Sequence, residues 1–429
     1  MFLRRILFVS LIAFVLLYIR HTWRNLPPAS MLDRPEKHLI PATSDPGISF
    51  GLIDSIVKIA VDTMLVPGAV LSVYQDGIAI HERAFGYAKR YDFGKKLLAK
   101  PDTMTLDTRF DLASLTKVFA TTFGIMLLTD AGKISPDMPV SKILPDFTDP
   151  SKDSITIRHL LTHSAGLTEW APIYYHARNE DEARKYISTL PLKYPVGAGR
   201  HYSDLGFMLL GYIIEKVSNE DLNSFLQEEL YSKLDLQNTS FNPNTDGPPF
   251  ACTSHGNPFE KKMVYDDHFG FKCDEDPTFF QEWRHYVLCG EVNDGNSYYA
   301  HQGMAGHAGL FSTAHELQIL LGLLLNKGVY QSKKYIKEET INLFLTKDRF
   351  GHGLGWAMSP SAVPVDNLPP GSFGHTGFTG TFAVGIPKYN LGLILLTNRQ
   401  NLDVNSDGNY NSVTKLRKDV TENLIRMLE

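Results

Sequence analysis

An extended, turn-like approach meets an apolar helical stretch at Asp111-Leu112-Ala113-Ser114-Leu115-Thr116-Lys117. The approach is Thr108 to Asp111, and the apolar stretch runs from Val118 to Asp130. Because positions i and i+3 of a helix share one face, we expect the Lys117 ammonium to lie beside the Ser114 hydroxyl. A serine hydroxyl becomes a good nucleophile when a neighbouring base takes its proton, and the first N–H groups of a helix attract negative charge. One short segment therefore predicts a nucleophile, a proton acceptor and part of an oxyanion hole.

The Ser-x-x-Lys spacing occurs at Ser55/Lys58, Ser114/Lys117 and Ser412/Lys415. Ordinary composition gives about one occurrence by chance in a chain of this length, so the spacing alone is a weak signal. Ser55 falls midway along an amphipathic helix and Ser412 begins the last helix. We predict that these two pairs lie on solvated helix faces and that only Ser114 belongs to a functional site.

The composition is that of an ordinary globular protein with enough apolar residues for a large core. The chain has 429 residues, 43% hydrophobic and 21% charged, and a formal net charge of -5. A negative balance without runs of like charge argues against a nucleic-acid partner. The length allows two or three domains, or one domain with an inserted lobe.

The first 24 residues differ in character from the rest. Arg4 and Arg5 precede an apolar run from Ile6 to Ile19 that only Ser10 interrupts. This is the pattern of an export signal, and no clear small-x-small cleavage site follows it. We therefore expect an uncleaved, single-pass signal anchor at 1–24 and a proline-containing linker at 25–45, with a cleaved signal peptide as the second possibility. The catalytic domain, 46–429, would then be periplasmic or otherwise extracytoplasmic, tethered to the inner (cytoplasmic) membrane.

Cys252, Cys273 and Cys289 fall within one irregular region. In an exported protein an odd number leaves either one disulfide and a free thiol or three free thiols. None of the three has a Cys-x-x-Cys neighbour. We therefore expect structural cysteines rather than metal or redox chemistry.

The order of predicted elements describes an antiparallel sheet that is completed from both ends of the chain. A helix is predicted over 51–65, and β-rich runs over 69–74 and 78–87 form a hairpin. A mainly helical lobe then follows. The other predicted features are a polar excursion over 89–107, helices within 134–246, long loops over 247–300, a helix over 314–326, strands over 355–358, 382–386 and 391–397, and a last amphipathic helix from 413 to 427.

Two further clusters follow the Ser114 segment. Gly199-Arg200-His201-Tyr202-Ser203-Asp204 precedes a helix and places Tyr202 in a loop at its N-terminus. His375-Thr376-Gly377-Phe378-Thr379-Gly380 stands at the start of the late strands. Glycines there allow a second polypeptide, such as a bound substrate, to approach the backbone closely.

Ser-x-x-Lys, Tyr-Ser-x and x-Thr-Gly, in that order, make the chain resemble the serine penicillin-recognising enzymes. That superfamily comprises class C β-lactamases, low-molecular-weight DD-carboxypeptidases and related esterases. The resemblance extends from about Gly51 to the C-terminus and includes His159–Leu167 and Gly306–Thr313. Ala84–Asp92 and Tyr202-Ser203-Asp204 are most similar to the penicillin-binding protein 4B type. The resemblance implies an α+β, β-lactamase/transpeptidase-like fold, with an antiparallel sheet flanked by the N- and C-terminal helices and an inserted helical lobe.

The resemblance also implies roles for the first two clusters. Ser114 would be the acylated nucleophile, and Lys117 would hold the proton network around it. Tyr202 would act as general base on Ser114 and then as acid for the leaving group. A tyrosine of pKa about 10 needs neighbouring cations before its phenolate is accessible, and Lys117 and His375 are the candidates.

The third cluster would bind substrate. The backbone N–H groups of Ser114 and Phe378 would form the oxyanion hole. His375, Thr376 and Gly377 would line the edge strand that binds the acyl chain and carboxylate of the substrate. This chemistry needs no metal or organic cofactor.

Two residues depart from the commoner family pattern. Asp204 stands where the family usually has asparagine, and an ionised carboxylate would pair with Lys117 and hold it charged, which favours Tyr202 as the base. His375 replaces the commoner lysine, and a histidine largely neutral near pH 7 weakens attraction to a substrate carboxylate. Both changes leave acyl transfer possible but argue against efficient β-lactam hydrolysis.

Several other patterns could indicate metal sites or other enzyme classes, but we favour ordinary structural explanations for them. His159 and His163 have zinc-ligand spacing but no third ligand, so a capped helix end with satisfied core histidines is preferred. His307, between glycines, either enters the site or packs locally. Asp403-x-Asn405-x-Asp407-Gly408 matches half of a calcium loop, but its twelfth position is Thr414, which favours plain turn chemistry. The absence of Gly-x-Ser-x-Gly argues against an α/β-hydrolase.

The sequence therefore predicts a membrane-anchored serine acyl-enzyme hydrolase. Its expected substrate is the D-Ala-D-Ala end of peptidoglycan peptides, with β-lactams as covalent inhibitors. The alternatives are an esterase or weak β-lactamase on the same scaffold, a penicillin-binding sensor or adaptor that does not turn over, and a zinc hydrolase. The sequence leaves the oligomeric state open.

Overall fold

Residues 50–270, 275–359, 363 and 365–429 are described by a computed structural model of the protein. The expected signal anchor (1–24), the linker (25–45) and Cys273 lie outside these residues. Among the residues described, no helix is both long and apolar enough to cross a membrane.

The α-helices are α1 (Gly51–Asp62), α2 (Thr122–Asp130), α3 (Ile157–Leu161), α4 (Glu180–Thr189), α5 (Asp204–Ser218), α6 (Leu222–Leu226), α7 (Pro258–Tyr265), α8 (Ala314–Leu325), α9 (Glu338–Phe344) and α10 (Thr414–Leu428). The strands are β1 (Gly68–Gln75), β2 (Ile78–Asp92), β3 (Lys96–Thr103), β4 (Phe110–Asp111), β5 (Ser240–Phe241), β6 (Leu310–Ser312), β7 (Val329–Tyr330), β8 (Lys333–Lys334), β9 (Phe373–Thr376), β10 (Phe382–Ile386) and β11 (Leu391–Thr397).

The main sheet joins the two ends of the folded chain. Its strand order is β3-β2-β1-β11-β10-β9, and every neighbouring pair is antiparallel. The early strand β1 pairs with the late strand β11 from Ala69↔Thr397 to Gln75↔Leu391. This confirms the predicted fold, in which a helical lobe is inserted between the two halves of the sheet.

The central strands are buried on both faces because helices cover each side. Residues of β1 and β11 alternate between two hydrophobic clusters, as successive side chains on a strand must. Leu71 and Leu393 face the cluster that contains residues of α1 and α10, whereas Val70 and Ile394 face the cluster that contains residues of α8 and the lobe. Two terminal helices therefore cover one face of the sheet, and α8 covers the other.

The structure corrects three local predictions. The polar segment 89–107 is largely strand, because β2 continues to Asp92 and pairs with β3. Residues 355–358 are not a strand, since Ala357 makes only isolated bridges to His352 and Gly374. The predicted loop region 247–300 contains α7, whose first turn carries Pro258 as its fixed φ allows.

Cys252 and Cys289 form a disulfide across 37 residues of this irregular region. Of the two alternatives for the cysteines, one disulfide or three free thiols, the structure therefore shows the disulfide. The bridge closes the segment that contains α7, which lines the cavity described below.

Candidate active site

Ser114 lies in a short 3₁₀ turn, Ala113–Leu115, between β4 and a π-helical turn, Lys117–Thr121, that leads into α2. Ala113 has a φ of 47°, a left-handed conformation that costs a non-glycine residue about 1–2 kcal/mol. The strain is held by Asp111, whose Oδ1 accepts a hydrogen bond of 2.8 Å from Ala113 N and whose Oδ2 accepts one of 2.6 Å from Asn293 N. The buried Asp111 carboxylate thus fixes the backbone immediately before the predicted nucleophile.

Lys117 is completely buried beneath Ser114. Its Nζ lies 3.0 Å from Ser114 Oγ, 3.0 Å from the carbonyl oxygen of His307 and 2.7 Å from Asp204 Oδ1. Burial opposes the charge on Lys117, but the negative charge of Asp204, the interaction with Tyr202 and the hydrogen bonds to both together outweigh it and raise the pKa of the ammonium above its ordinary value. The predicted pairing of Asp204 with Lys117 is therefore present, and Lys117 is a cation at neutral pH.

Tyr202 precedes the N-terminus of α5, where Ser203 caps the helix by accepting from Gly206 N at 3.4 Å. The Tyr202 hydroxyl is hydrogen-bonded to Ser114 and Lys117, and its ring packs on that of His163 with centroids 4.4 Å apart. Burial raises the pKa of Tyr202, and Asp204 adds to that rise, against the opposing effects of Lys117 and the hydrogen bonds. Tyr202 is thus a neutral phenol at rest.

His375 lies on β9, the edge strand, and its Nδ1 is 2.9 Å from the carbonyl oxygen of Thr376. Burial, together with the charge of Lys117, lowers the pKa of His375 to about 3. His375 is therefore neutral and cannot supply the cation that was expected beside Tyr202. The cation besides Lys117 is Arg200, whose guanidinium carbon is 5.9 Å from the centre of the Tyr202 ring.

The turn after β9 is tied to the Ser114 segment by two hydroxyls. Thr379 Oγ1 donates to the carbonyl of Asp111 at 2.8 Å, and Thr381 Oγ1 donates to the carbonyl of Leu112 at 3.0 Å. A Cβ at Gly377 would collide with Thr381 Oγ1 and the Leu112 carbonyl. The glycine was expected to make room for substrate, but here the chain's own packing already requires it.

A cavity of about 580 Å³ opens above these residues. Of the predicted site residues, its lining includes Ser114, Tyr202, Asp204, His375, Thr376, Gly377 and Phe378, while Lys117 lies beneath its floor. Phe259, Phe378 and Tyr410 form an aromatic cluster on one wall, with ring centroids 4.9 to 5.9 Å apart. The structure thus brings all the predicted site residues to one cavity.

His307 also lines the cavity, and it packs against neighbouring residues as well. Both of the alternatives considered for it, entry into the site and local packing, therefore apply. Its Nε2 lies 2.8 Å from Asp294 Oδ1, and its carbonyl accepts from Lys117. Burial favours the neutral form of Asp294, but His307 and Lys117 outweigh it and lower the pKa of the carboxyl. His307 was flagged by its flanking glycines, whereas Asp294 sits in a loop region without any local signal.

Glu260, at the start of α7, is a further wall residue that the sequence did not reveal. Its Oε2 accepts from Gly295 N at 2.9 Å. Burial, and then the nearby charge of Asp294, raise the pKa of Glu260. Two acidic side chains therefore line the same cavity with pKa values shifted in opposite directions, Glu260 upward and Asp294 downward.

The metal alternatives have local explanations. His159 Nδ1 accepts from Thr156 N at 3.1 Å in a reciprocal helix cap, and His163 Nδ1 accepts from Ser203 N at 3.0 Å. Asn405 Oδ1 accepts from Asp407 N and Asn409 N at 3.0 and 2.9 Å, which is turn chemistry. Within the described ranges, no three His, Cys, Asp or Glu side chains are grouped so as to hold a metal ion.

The other two Ser-x-x-Lys pairs lie on solvated faces, as predicted. Ser55 Oγ donates to the Gly51 carbonyl of its own helix, and Lys58 pairs with Asp62. Lys415 pairs with Asp419, one turn away on α10.

Comparison with known proteins places this geometry in a family. Residues 53–414 match the family model described as Beta-lactamase. Over 360 residues, which are 79% of this chain and 78% of the relative, the chain is 36% identical to "N-acetylmuramyl-L-alanine amidase" of Bacillus subtilis (strain 168). Over 353 residues, 78% of each protein, it is 31% identical to "Putative D-alanyl-D-alanine carboxypeptidase" of Escherichia coli (strain K12).

Solved structures share the fold. The structure of "EstCE1, a hydrolase with promiscuous acyltransferase activity" aligns with a TM-score of 0.63 at 21% identity, covering 86% of this chain and 97% of that one. The family match spans the sheet, the lobe and the three clusters that line the cavity. The chain belongs to the β-lactamase family of serine hydrolases and penicillin-binding proteins.

Proposed function

We propose that this protein is a serine acyl-enzyme hydrolase that cleaves the terminal D-Ala from D-Ala-D-Ala peptides of peptidoglycan. The observation that carries the proposal is the buried Lys117, whose Nζ contacts Ser114 Oγ at 3.0 Å and Asp204 Oδ1 at 2.7 Å under an open cavity. A buried, permanently charged lysine beside one hydroxyl lowers the free energy of any anion that forms there. A purely structural serine has no need of such a neighbour.

In the first step Ser114 Oγ attacks the carbonyl carbon of the penultimate D-Ala. The serine proton passes to the phenolate form of Tyr202, which then gives that proton to the leaving amine as the C–N bond breaks. Because the resting group is a neutral phenol, acylation depends on the fraction of the enzyme in which Tyr202 is deprotonated. Water then attacks the ester carbonyl as Tyr202 takes its proton. The bond between the acyl carbon and Ser114 Oγ breaks, Tyr202 returns the proton to the serine oxygen, and the acyl chain leaves as a carboxylic acid. Because Asp204 keeps Lys117 protonated, we assign the proton transfers to Tyr202. Lys117 then acts by stabilising nearby negative charge.

The oxyanion of the tetrahedral intermediate would be stabilised by the N–H groups of Ser114 and Phe378. Each such donor contributes about 3 kcal/mol to lowering the barrier. Thr379 and Thr381 bind the backbone just before Ser114, which holds the two donors at a fixed separation. No step needs a metal ion or an organic cofactor.

The D-Ala-D-Ala substrate is supported by the name of the Escherichia coli relative, whereas the name of the Bacillus subtilis relative specifies an amide of L-alanine. One observation favours a second candidate, an esterase acting on uncharged substrates. The pKa of His375 is lowered to about 3, so the strand expected to bind a substrate carboxylate carries no charge of its own. A penicillin-binding sensor that acylates and stalls would share the same acylation step.

We further propose an extracytoplasmic location, with the protein held at the inner membrane by residues 1–24. The Cys252–Cys289 disulfide supports this placement, because such bonds persist in oxidising compartments. The proposed partners are the peptidoglycan peptide or a β-lactam and the membrane, with no nucleic acid.

Intact-mass spectrometry of residues 25–429 after brief exposure to penicillin tests the proposal. Ser114→Ala is the test variant and Ser55→Ala, which alters the same spacing on a solvated face, is the matched control. A stable adduct on wild type and Ser55→Ala but not on Ser114→Ala supports the nucleophile and makes deacylation the slow step. No adduct with hydrolysed drug indicates a β-lactamase, and no adduct with intact drug favours the esterase.

Substrate identity follows from a second measurement on the same proteins. Release of D-alanine from a D-Ala-D-Ala pentapeptide, dependent on Ser114, supports the carboxypeptidase. Cleavage of N-acetylmuramyl-L-alanine or of p-nitrophenyl esters, without D-alanine release, would contradict it in favour of an amidase or esterase.

A further inference from the structure

Two arginines from the C-terminal part of the chain bind the backbone of the turn that follows β9. Arg417, on α10, donates from Nη2 to the carbonyls of Gly377 and Thr381, each at 3.0 Å. The Gly377 carbonyl and the Phe378 N–H belong to the same peptide group. Arg417 therefore holds the carbonyl end of the group whose N–H end is the proposed oxyanion donor.

Arg399 holds the next carbonyl of the same turn. Its Nε and Nη2 donate to Phe378 O at 3.1 and 2.7 Å, and its Nη1 donates to Asn411 O at 2.8 Å. The guanidinium also lies 5.5 Å from the centre of the Phe378 ring. Consecutive carbonyls are thus fixed by two planar, charged groups, so the peptide between them has little freedom to rotate.

Within the part of the chain that the structure describes, neither arginine has an acidic partner. Arg417 is only 7% exposed, and its buried Nε has no hydrogen-bond partner. Burial, with a contribution from Arg399, lowers the pKa of Arg417 to about 9, which leaves it a cation at neutral pH. Among the described residues, no carboxylate lies within ion-pair distance of either arginine, although both line the cavity.

Keeping two neighbouring cations out of reach of any carboxylate is costly, since a buried charge loses its hydration. The charges act here on carbonyl oxygens instead. A charge-assisted hydrogen bond to a carbonyl draws electron density along the amide and strengthens the N–H at its other end, by roughly 10–30% per bond. The uncompensated positive charge also attracts an oxyanion that forms nearby.

We propose that Arg417 and Arg399 are positioning residues that orient and polarise the Gly377–Phe378 peptide, so that the Phe378 N–H is a stronger oxyanion donor. The inference rests on the proposed function, because it assigns these arginines a part in the same acyl transfer. Neither residue touches the reacting atoms in this role. Their effect reaches the transition state through the amide.

The test compares Arg417→Gln, Arg417→Lys and Arg399→Gln with wild type. Arg426→Gln, which removes an exposed arginine of the same helix, is the matched control. Steady-state kinetics use an uncharged substrate, p-nitrophenyl acetate, and a carboxylate-bearing chromogenic cephalosporin. Phenylboronic acid, which forms a tetrahedral adduct with a nucleophilic serine, reports affinity for the transition-state shape, and melting temperatures report folding.

We expect Arg417→Gln and Arg399→Gln to lower kcat about tenfold or more for both substrates with little change in KM, since a whole donor is worth 10²–10³. The inhibition constant of phenylboronic acid should rise in parallel, and Arg417→Lys should recover part of the loss. Arg426→Gln should behave as wild type.

A loss confined to KM for the cephalosporin would overturn the inference, because it would make the arginines a carboxylate-binding site. A lower melting temperature with unchanged ester kcat would also overturn it and leave a structural role. Arg399→Gln serves if Arg417→Gln does not fold, since Arg399 is only half-buried. If Ser114→Ala keeps wild-type activity the proposed function itself fails, whereas inactive Ser114→Ala with normal arginine variants refutes only this inference.

Discussion

At Lys117, one ammonium donates hydrogen bonds to Ser114 and the His307 carbonyl and forms an ion pair with Asp204, and it also contacts the Tyr202 hydroxyl. With every donor occupied and a carboxylate at 2.7 Å, the lysine has no lone pair with which to accept the serine proton. Asp204 strengthens this by raising the pKa of Lys117. The same carboxylate raises the pKa of Tyr202, so Asp204 keeps both nearby groups protonated to a greater extent than asparagine would.

Replacing Asp204 with asparagine is expected to move the pH dependence of acylation. Removing the negative charge lowers the pKa of Tyr202, and the active enzyme needs the deprotonated base, so the rising limb of kcat/KM should shift to lower pH. The shift should be about one pH unit, the usual size for a neighbouring charge. Stopped-flow acylation by a chromogenic cephalosporin from pH 5 to 10 measures it. Asp137→Asn, an exposed acid paired with Arg158, is the control, and coincident profiles for Asp204→Asn and wild type would refute the coupling.

Glu260 should make the folded state less stable as pH rises. Its pKa is raised from 4.5 to about 8, so the folded state binds more protons than the unfolded state between these values. Stability is therefore fully present below pH 4.5 and is lost as pH rises toward 8. Between pH 6 and 8 the free energy of unfolding of the wild type should therefore fall by about 1–2 kcal/mol more than that of Glu260→Gln. Urea unfolding at pH 6, 7 and 8 gives the comparison, and parallel wild-type and variant curves would show that Glu260 is ionised in the folded protein.

Among the elements, those with a strong apolar pattern were predictable from sequence. β10 and β11 occupy their predicted ranges because both are buried on every face and read as continuous apolar runs. β3 was missed because its side chains are mostly exposed at the sheet edge and its apolar residues are consecutive, so apolar and polar positions do not alternate. The segment 355–358 was wrongly predicted because its apolar residues are buried in the core, while only Ala357 pairs with the edge strand.

The candidate site divides in the same way. Ser114, Lys117 and Tyr202 stand in local patterns, at helical spacing or before a helix, and these patterns were visible in the sequence. Asp294 comes from a loop, and Arg417 comes from a buried position on the last helix. Their roles arise only when the chain folds, so no local pattern marks them. Sequence therefore located the candidate reacting groups and the partner Asp204 of Lys117, but not Asp294 or Arg417.

The disulfide stabilises the segment that contains α7 and forms one wall of the cavity. It links Cys252 to Cys289 around α7, and loop-closure entropy for 37 residues predicts a stabilisation of about 3–4 kcal/mol. Replacing both cysteines with alanine should lower the free energy of unfolding by that amount and weaken binding of inhibitors in the cavity. Denaturant titration of the double variant checks this, with Cys273→Ala as the control. An unchanged unfolding midpoint in non-reducing buffer would argue against the bond.

At the scale of the whole molecule, the sheet is closed by strands from opposite ends of the chain, and the cavity lies where its edge strand meets the lobe. β9 contributes His375, the lobe contributes Tyr202, and α10 contributes Arg417. His375, Tyr202 and Arg417 therefore each depend on contacts between segments that are far apart in the sequence. The site can form only when the N-terminal hairpin, the lobe and the last helix have all docked, so activity is a sensitive report of complete folding.

We expect residues 1–24 to anchor the protein to a membrane and residues 46–429 to carry the acylated site, so the two segments should be separable by experiment. Residues 46–429 should be soluble and acylated by fluorescent penicillin, because the sheet, lobe and cavity described above are built from residues within this range. The full chain should instead sediment with membranes, resist extraction by high salt and dissolve in detergent, because the apolar run Ile6–Ile19 is held by hydrophobic transfer rather than charge. Phe14→Arg, which places a charge inside that run, should release it. A full-length product found in the soluble fraction, with a mass shortened by about the first 24–30 residues, would instead establish the cleaved signal peptide.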